Sequence, residues 1–344
     1  MITSDRKFGV ELEFLSPDEV SHRRIERALA PYGDVVFDGS LRPHPYGGEW
    51  VSPVLQGKTG EAMVRDACDI IKVNHADLDD PRTSMHIHLD GKRPEPKAVK
   101  SMTRPETGRA IAFSRAVARR LDNGDALRIL TGQRLRLDLS VNETVIDNIR
   151  YFSMGRLSRH PRMNYVYYHL EEQDNFDWLQ KVFYFYTKHS QAINSMVSRS
   201  RCEGNMYCQP LHESFTTEAI LGCKDKNQLE RLWYKGLLPN GRYNDSRYHN
   251  VNLHSYFFQP GTIEIRSHGS TSDANKILLW IRLHQFILDK LERVSIDDIK
   301  NDLNPMLSFL KFISEEPLLV DYYKRTIGYY HGISIVGDKV KYKD

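Results

Sequence analysis

At 344 residues, with 40% hydrophobic and 27% charged residues, the chain has an ordinary globular composition and the length for one large domain or two modest ones. A net charge of +3 is too small to point to nucleic acid by itself. No apolar run reaches membrane-spanning length and the opening Met-Ile-Thr-Ser-Asp-Arg-Lys is no signal peptide, so a cytoplasmic protein is expected.

In chain order, the first strand is expected over 7–15. Side chains two apart in a strand share a face, so Phe8-Gly-Val-Glu-Leu-Glu-Phe14 sets Glu11 and Glu13 against Val10, Leu12 and Phe14. A helix opened by Ser16, with Pro17 in its first turn, should end near Gly33. A short strand at 34–38 runs into Asp38-Gly39-Ser40. Gly48-Glu49-Trp50-Val51 begins the next strand, and Gly47-Gly48 would let the backbone pass close to a ligand. Ala62, Val64, Ala67, Ile70 and Ile71 predict a helix over 59–75. Ser84-Met-His-Ile-His-Leu-Asp90 follows as a strand, with His86 and His88 opposite Met85, Ile87 and Leu89.

Residues 91–105, with Pro94, Pro96, Pro105 and several basic side chains, read as a loop or lid. From about 105 to 240 a mainly helical insertion is expected, clearest over 176–197, where Trp178, Val182, Phe183, Phe185, Tyr186 and Ile193 form a core stripe. The Arg-rich stretch between Arg104 and Arg136 reads first as a solvated helix, with an acidic ligand or nucleic acid as the other reading. Of the four cysteines, Cys202, Cys208 and Cys223 with His212 fit no familiar zinc spacing, and these and Cys68 are expected as free thiols.

After a polar loop at 240–248, two strands at 249–258 and 261–267 follow without a helix between them, which implies antiparallel pairing. Asn250, Asn252 and His254 share a face of the first; Thr262, Glu264, Arg266 and His268 share a face of the second, with Ile263 and Ile265 opposite. An amphipathic helix at 273–293, a helix near 303–325 and a basic final strand complete the chain. Sheet elements at 1–90 and 245–290, a helical insertion and a helical tail over 295–344 make one α+β domain.

Four strands thus each carry one apolar face and one face of carboxylate, imidazole, amide or guanidinium. An ordinary solvated sheet face mixes Thr, Lys, Ser and Gln; Glu-x-Glu, His-x-His and Glu-x-Arg instead gather groups that hold hard cations and clamp phosphates. Glu11, Glu13, Glu49 and Glu264 can supply oxygen ligands to Mg²⁺, and His86 or His88 one nitrogen. Arg266 suits a phosphate, which its planar fork meets bidentately; Arg247 and Arg242 are weaker candidates for the same task. An ion pair with Glu264 is the plain alternative for Arg266.

These segments, Phe-Gly-Val-Glu11-Leu-Glu13-Phe, Asp38-Gly-Ser-Leu, Gly-Gly-Glu49-Trp-Val-Ser-Pro, Met-His86-Ile-His88-Leu-Asp and Thr-Ile-Glu264-Ile-Arg266, resemble the putative amidoligase family. That family sits in the carboxylate–amine ligase superfamily of glutamine synthetase and glutamate–cysteine ligase. The resemblance covers 1–90 and 245–290 and much less of the middle. It implies a curved antiparallel sheet forming a funnel, with ATP and Mg²⁺ (or Mn²⁺) inside, and an acyl-phosphate route to an amide or isopeptide bond. It also implies Glu13 and Glu49 on one metal, with Glu11, His86 and Glu264 on another. His88 would lie by the nucleotide, Arg266 on the leaving phosphoryl oxygens, and Asn252 and Arg247 near the substrate carboxylate or γ-phosphate. The partners would be a carboxylate donor and an amine acceptor, small or macromolecular. Two other readings stay open: a zinc hydrolase using His86 and His88, and a non-catalytic module binding nucleic acid or protein.

Overall fold

A computed structural model describes residues 4–42, 44–91, 176–202, 204–237, 241, 243–258 and 261–343, together with the backbone of strands at 100–102, 141–146, 149–154 and 166–169. The chain divides into two compact units, Met1–Lys92 with Phe176–Asp344, and Arg93–Asn175.

The first unit is built on a six-stranded antiparallel sheet. Its strands are β1 (Phe8–Leu15), β2 (Asp34–Val36), β3 (Gly47–Val51), β4 (Ser84–Asp90), β9 (Val251–Asn252) and β10 (Thr262–Gly269), in the order β2-β3-β1-β4-β10-β9. On one face Val10, Leu12, Phe14, Met85, Ile87, Leu89, Ile263 and Ile265 are all nearly solvent-free. They share one core with Ile25 and Leu29 of α1 (Glu19–Leu29), Val64, Ala67 and Ile71 of α2 (Gly57–Val73), Phe183 of α3 (Phe176–Lys188) and Trp280 of α4 (Ala274–Arg293). Burial of this apolar side is the main stabilising term, at about 25 cal/mol per Å². It leaves the other side free to carry charge. α5 (Pro317–His331) and the hairpin Ile333–Val336 with Lys339–Tyr342 close the unit. Among the described residues no helix is long and apolar enough to cross a membrane, and all four cysteines are free.

In the second unit β5 (Lys100–Met102), β6 (Val141–Ile146), β7 (Ile149–Met154) and β8 (Val166–His169) pair antiparallel in the order β5-β8-β7-β6. The expected helical insertion over about 105–240 is therefore helical in its later part, while its described residues before 175 are strands. Val141–Ile146 and Ile149–Met154 are β-branched and aromatic runs two residues apart, a hairpin signal that outweighs the helical reading. Most of 91–105, all of the stretch from Arg104 to Arg136, and Arg242 lie outside the described residues.

Three local expectations change. The cap of α1 is Asp18, whose carboxylate accepts from the Ser21 N–H, while the Ser16 hydroxyl shares a hydrogen bond with His22. The strand expected at 249–258 pairs with β10 only through Val251–Asn252, with an isolated parallel bridge from His249 to Gln209 before it. The Asn252 side chain then accepts from the His254 N–H and the chain turns into the short helix His254–Phe257. Finally, β10 carries a bulge: Ile265 lies opposite Ile87, but His268 lies opposite Met85. The extra residue turns His268 to the apolar side, where its ring packs 5.2 Å from Trp280, and off the face of Glu264 expected for it.

Candidate active site

The register brings the predicted polar residues onto one face. Glu13 lies opposite Glu49, Glu11 opposite His86, and Glu264 opposite both His88 and Asn252. Five strands contribute: β1 at the centre, β3 on one side, β4, β10 and β9 on the other. Directly opposed residues of an antiparallel pair point the same way, so these pairings bring the strand-borne members together.

Two groups of ligand-bearing side chains result, each with its donor atoms within 4.8 Å of one another: Glu11, His86 and Glu264, and Glu13, Asp38 and Glu49. In the first, His86 Nδ1 is 3.1 Å from Glu11 Oε2 and 3.9 Å from Glu264 Oε1. His88 lies beside it, its Nε2 3.2 Å from Glu11 Oε1 and its Nδ1 3.0 Å from the Thr262 hydroxyl. In the second, Glu13 Oε2 accepts from the Ser84 N–H at 2.6 Å and Asp38 caps a short 3₁₀ turn.

Both oxygens of Glu264 are held. Arg266 Nη1 donates to Oε1 at 2.5 Å and Asn252 Nδ2 to Oε2 at 2.6 Å. The Asn252 amide is fixed in turn, because its oxygen accepts from the His254 N–H at 2.8 Å while the His254 ring bonds the Tyr234 hydroxyl at 2.7 Å. Arg266 Nε is buried with no hydrogen-bond partner among the described residues. Arg247 lies in the 3₁₀ turn Asp245–Tyr248 that leads into β9. Its guanidinium is stacked 5.0 Å from the Tyr243 ring and 4.8 Å from the Tyr248 ring.

The electrostatics follow from crowding. Burial, then Glu11, Asp38 and Glu13, push the Glu49 carboxyl up to about 9. Burial also raises Glu13. Burial opposes ionisation of Glu11 and Glu264 too, but His86 and His88 hold Glu11 well below its usual range, and Arg266 with His88 lowers Glu264. His88 is raised to about 9: burial works against its charge, and Glu264 and Glu11 overcome it. The site is therefore split into one carboxylate group balanced by imidazole and guanidinium, and another of three acids that repel one another. The second is a donor set suited to a hard divalent cation, since oxygen donors alone compose it.

Two members escape the sequence reading as site residues. Asp38 precedes β3 by nine positions, and only the Asp-Gly-Ser turn marks it. Arg201, in the 3₁₀ turn Arg199–Arg201, is buried at 8% exposure and donates to the Thr83 carbonyl. Burial lowers its pKa, with Glu13 opposing and the neighbouring Arg266 reinforcing the shift. Nothing in the local sequence separates it from Arg199.

The family comparison meets this geometry at one place. Residues 169–288 match the family model described as "Putative amidoligase enzyme". The matched stretch carries Arg201, Arg247, Asn252, Glu264 and Arg266; the carboxylates and histidines of β1, β3 and β4 lie before it. The amidoligase resemblance drawn from 1–90 and 245–290 thus meets a family match over 169–288, and the two overlap on β9, β10 and most of α4. No curated protein matches the chain.

Proposed function

We propose that the chain is an ATP- and Mg²⁺-dependent carboxylate–amine ligase, its sheet being the funnel-forming sheet of the glutamine synthetase and glutamate–cysteine ligase superfamily. The observation that carries this reading is the pair of ligand groups on one sheet face, Glu13/Asp38/Glu49 and Glu11/His86/Glu264, with Arg266 bonded to the second. Mg²⁺ held by these groups would supply positive charge to the phosphate oxygens of ATP.

In the proposed reaction a substrate carboxylate oxygen attacks the γ-phosphorus and ADP leaves. The amine then attacks the acyl carbon, phosphate departs, and the nitrogen gives up a proton to leave an amide. The chain's own contribution is positioning and charge. Glu264, gripped by Arg266 and Asn252, keeps its ligand oxygen fixed, and the unpartnered Nε of Arg266 is free to meet a phosphoryl oxygen as charge shifts. His88, kept protonated by Glu11 and Glu264, adds a second cation beside the nucleotide. The zinc-hydrolase reading fits less well, because among the described residues His86 is the one histidine in a ligand group and His88 is engaged by Glu11 and Thr262.

The test is calorimetric titration with a non-hydrolysable ATP analogue, with and without Mg²⁺. Magnesium-dependent binding by the wild type that disappears in Glu264→Ala is expected. Absence of binding at millimolar analogue would sink the proposal.

A further inference from the structure

A cleft with apolar walls and a few polar side chains lies between the first turns of α4 and the Tyr322–Tyr330 stretch of α5. It is open to solvent, holds about 310 Å³ and is lined by Lys276, Leu279, Tyr322, Arg325, Tyr329 and Tyr330 among others. None of these belongs to the ligand groups above.

Its polar groups are mostly donors. Lys276 is half-buried and meets no carboxylate among the described residues; its ammonium donates to the Tyr330 hydroxyl at 2.6 Å and lies 5.2 Å over that ring. The Tyr322 side chain is 5% exposed and its hydroxyl has no hydrogen-bond partner among the described residues. Tyr322 itself lines the cleft, beside Arg325, Tyr330 and Asp273. Arg325 is largely exposed and, among the described residues, pairs only with Asp321, one turn before it on α5. The one acid in the wall, Asp273, spends an oxygen capping α4 by accepting from the Asn275 and Lys276 N–H groups. A buried hydroxyl without a partner is costly, and an ammonium bonded to one phenol keeps further donors to offer; an oxyanion is the group that would serve both. The exposed Tyr329 ring, the Tyr330 ring and Leu279 provide flat, apolar walls above this donor floor.

We propose that this cleft binds a small organic anion, with carboxylate or phosphoryl oxygens taken by Lys276, Arg325 and the Tyr322 hydroxyl and a planar body laid against Tyr329 and Tyr330. The site is independent of the ligase reading.

The experiment is mass-spectrometric footprinting of lysine acetylation on the full chain, with Lys311 on another helix as reference. Phenyl phosphate, benzoate and inorganic phosphate are the probes. Phenyl phosphate or benzoate at millimolar concentration should slow acetylation of Lys276 several-fold while leaving Lys311 unchanged. Whichever of the two protects better names the oxyanion. Inorganic phosphate should need about tenfold more, for want of a ring. Protection should weaken by about tenfold in Tyr322→Phe and in Arg325→Gln, and persist in Arg266→Ala. No protection of Lys276, undiminished protection in both cleft variants, equal protection by inorganic phosphate, or loss of protection in Arg266→Ala would each overturn the proposal.

Discussion

Arg266 and Asp38 show how much one side chain can decide. Arg266 is held against Glu264 by a single Nη1 contact and keeps Nε in reserve. Lysine at this position would retain the charge but lose the fork, so Arg266→Lys should cost turnover by about 10²-fold or more, with a smaller change in KM for the nucleotide. Initial-rate kinetics on ATP would check this, and a raised KM at unchanged turnover would mean that Arg266 only binds. Asp38 completes the three-acid group. Asp38→Asn removes a charge without changing shape, and should weaken Mg²⁺ dependence by about tenfold while leaving the melting temperature in Mg²⁺-free buffer unchanged or slightly raised. A magnesium titration of activity, beside a thermal melt, separates those outcomes.

At the level of the elements, alternation does most of the work. β1, β4 and the first half of β10 could be read directly from the chain because their apolar and polar residues strictly alternate, and the observed registers pair those same residues. What escaped has physical causes. The end of β9 depends on an Asn252 side chain competing with the backbone, and the swing of His268 depends on one surplus residue, and neither has a compositional mark. Arg201 is distinguished from its neighbours only by burial, which requires the packed fold. The antiparallel join of β1 to β3 demands glycine where the chain runs beneath a ring: a Cβ on Gly48 would come within 2.9 Å of both Phe14 Cζ and His22 Cε1. Phe14 is fully buried and cannot retreat, so Gly48→Ala should lower stability by about 1–3 kcal/mol, read as an earlier urea midpoint at unchanged slope.

Taken whole, the molecule buries histidines that belong to neither ligand group. His189 is pushed down to about 3 by burial; its Nδ1 donates to the Phe185 carbonyl and its Nε2 bonds the Ser308 hydroxyl. His284 is likewise lowered to about 3 by burial, with Tyr186 bonded to its Nδ1. Both are neutral in the folded chain but take up a proton near 6.5 once unfolded. The unfolded state therefore binds more protons between about 6.5 and 3, and stability falls as pH drops through that window. Each contributes about 2 kcal/mol of loss by pH 5. His88, raised to about 9, is charged in both states over the same range and adds no slope, while the raised Glu49 carboxyl acts in the opposite sense. The double variant His189→Gln/His284→Gln should therefore flatten the fall in urea midpoint between pH 7 and pH 5 relative to wild type. Equal slopes would show that these imidazoles are not neutral in the fold. The bulge in β10 also reaches beyond its own strand, into how this chain is compared with others. Ile265 and His268 sit opposite Ile87 and Met85, two positions apart on β4 but three apart on β10. A relative with a regular strand here would keep every pairing and be one residue shorter. An alignment that places its gap anywhere but between Ile265 and His268 would match core positions to charged ones.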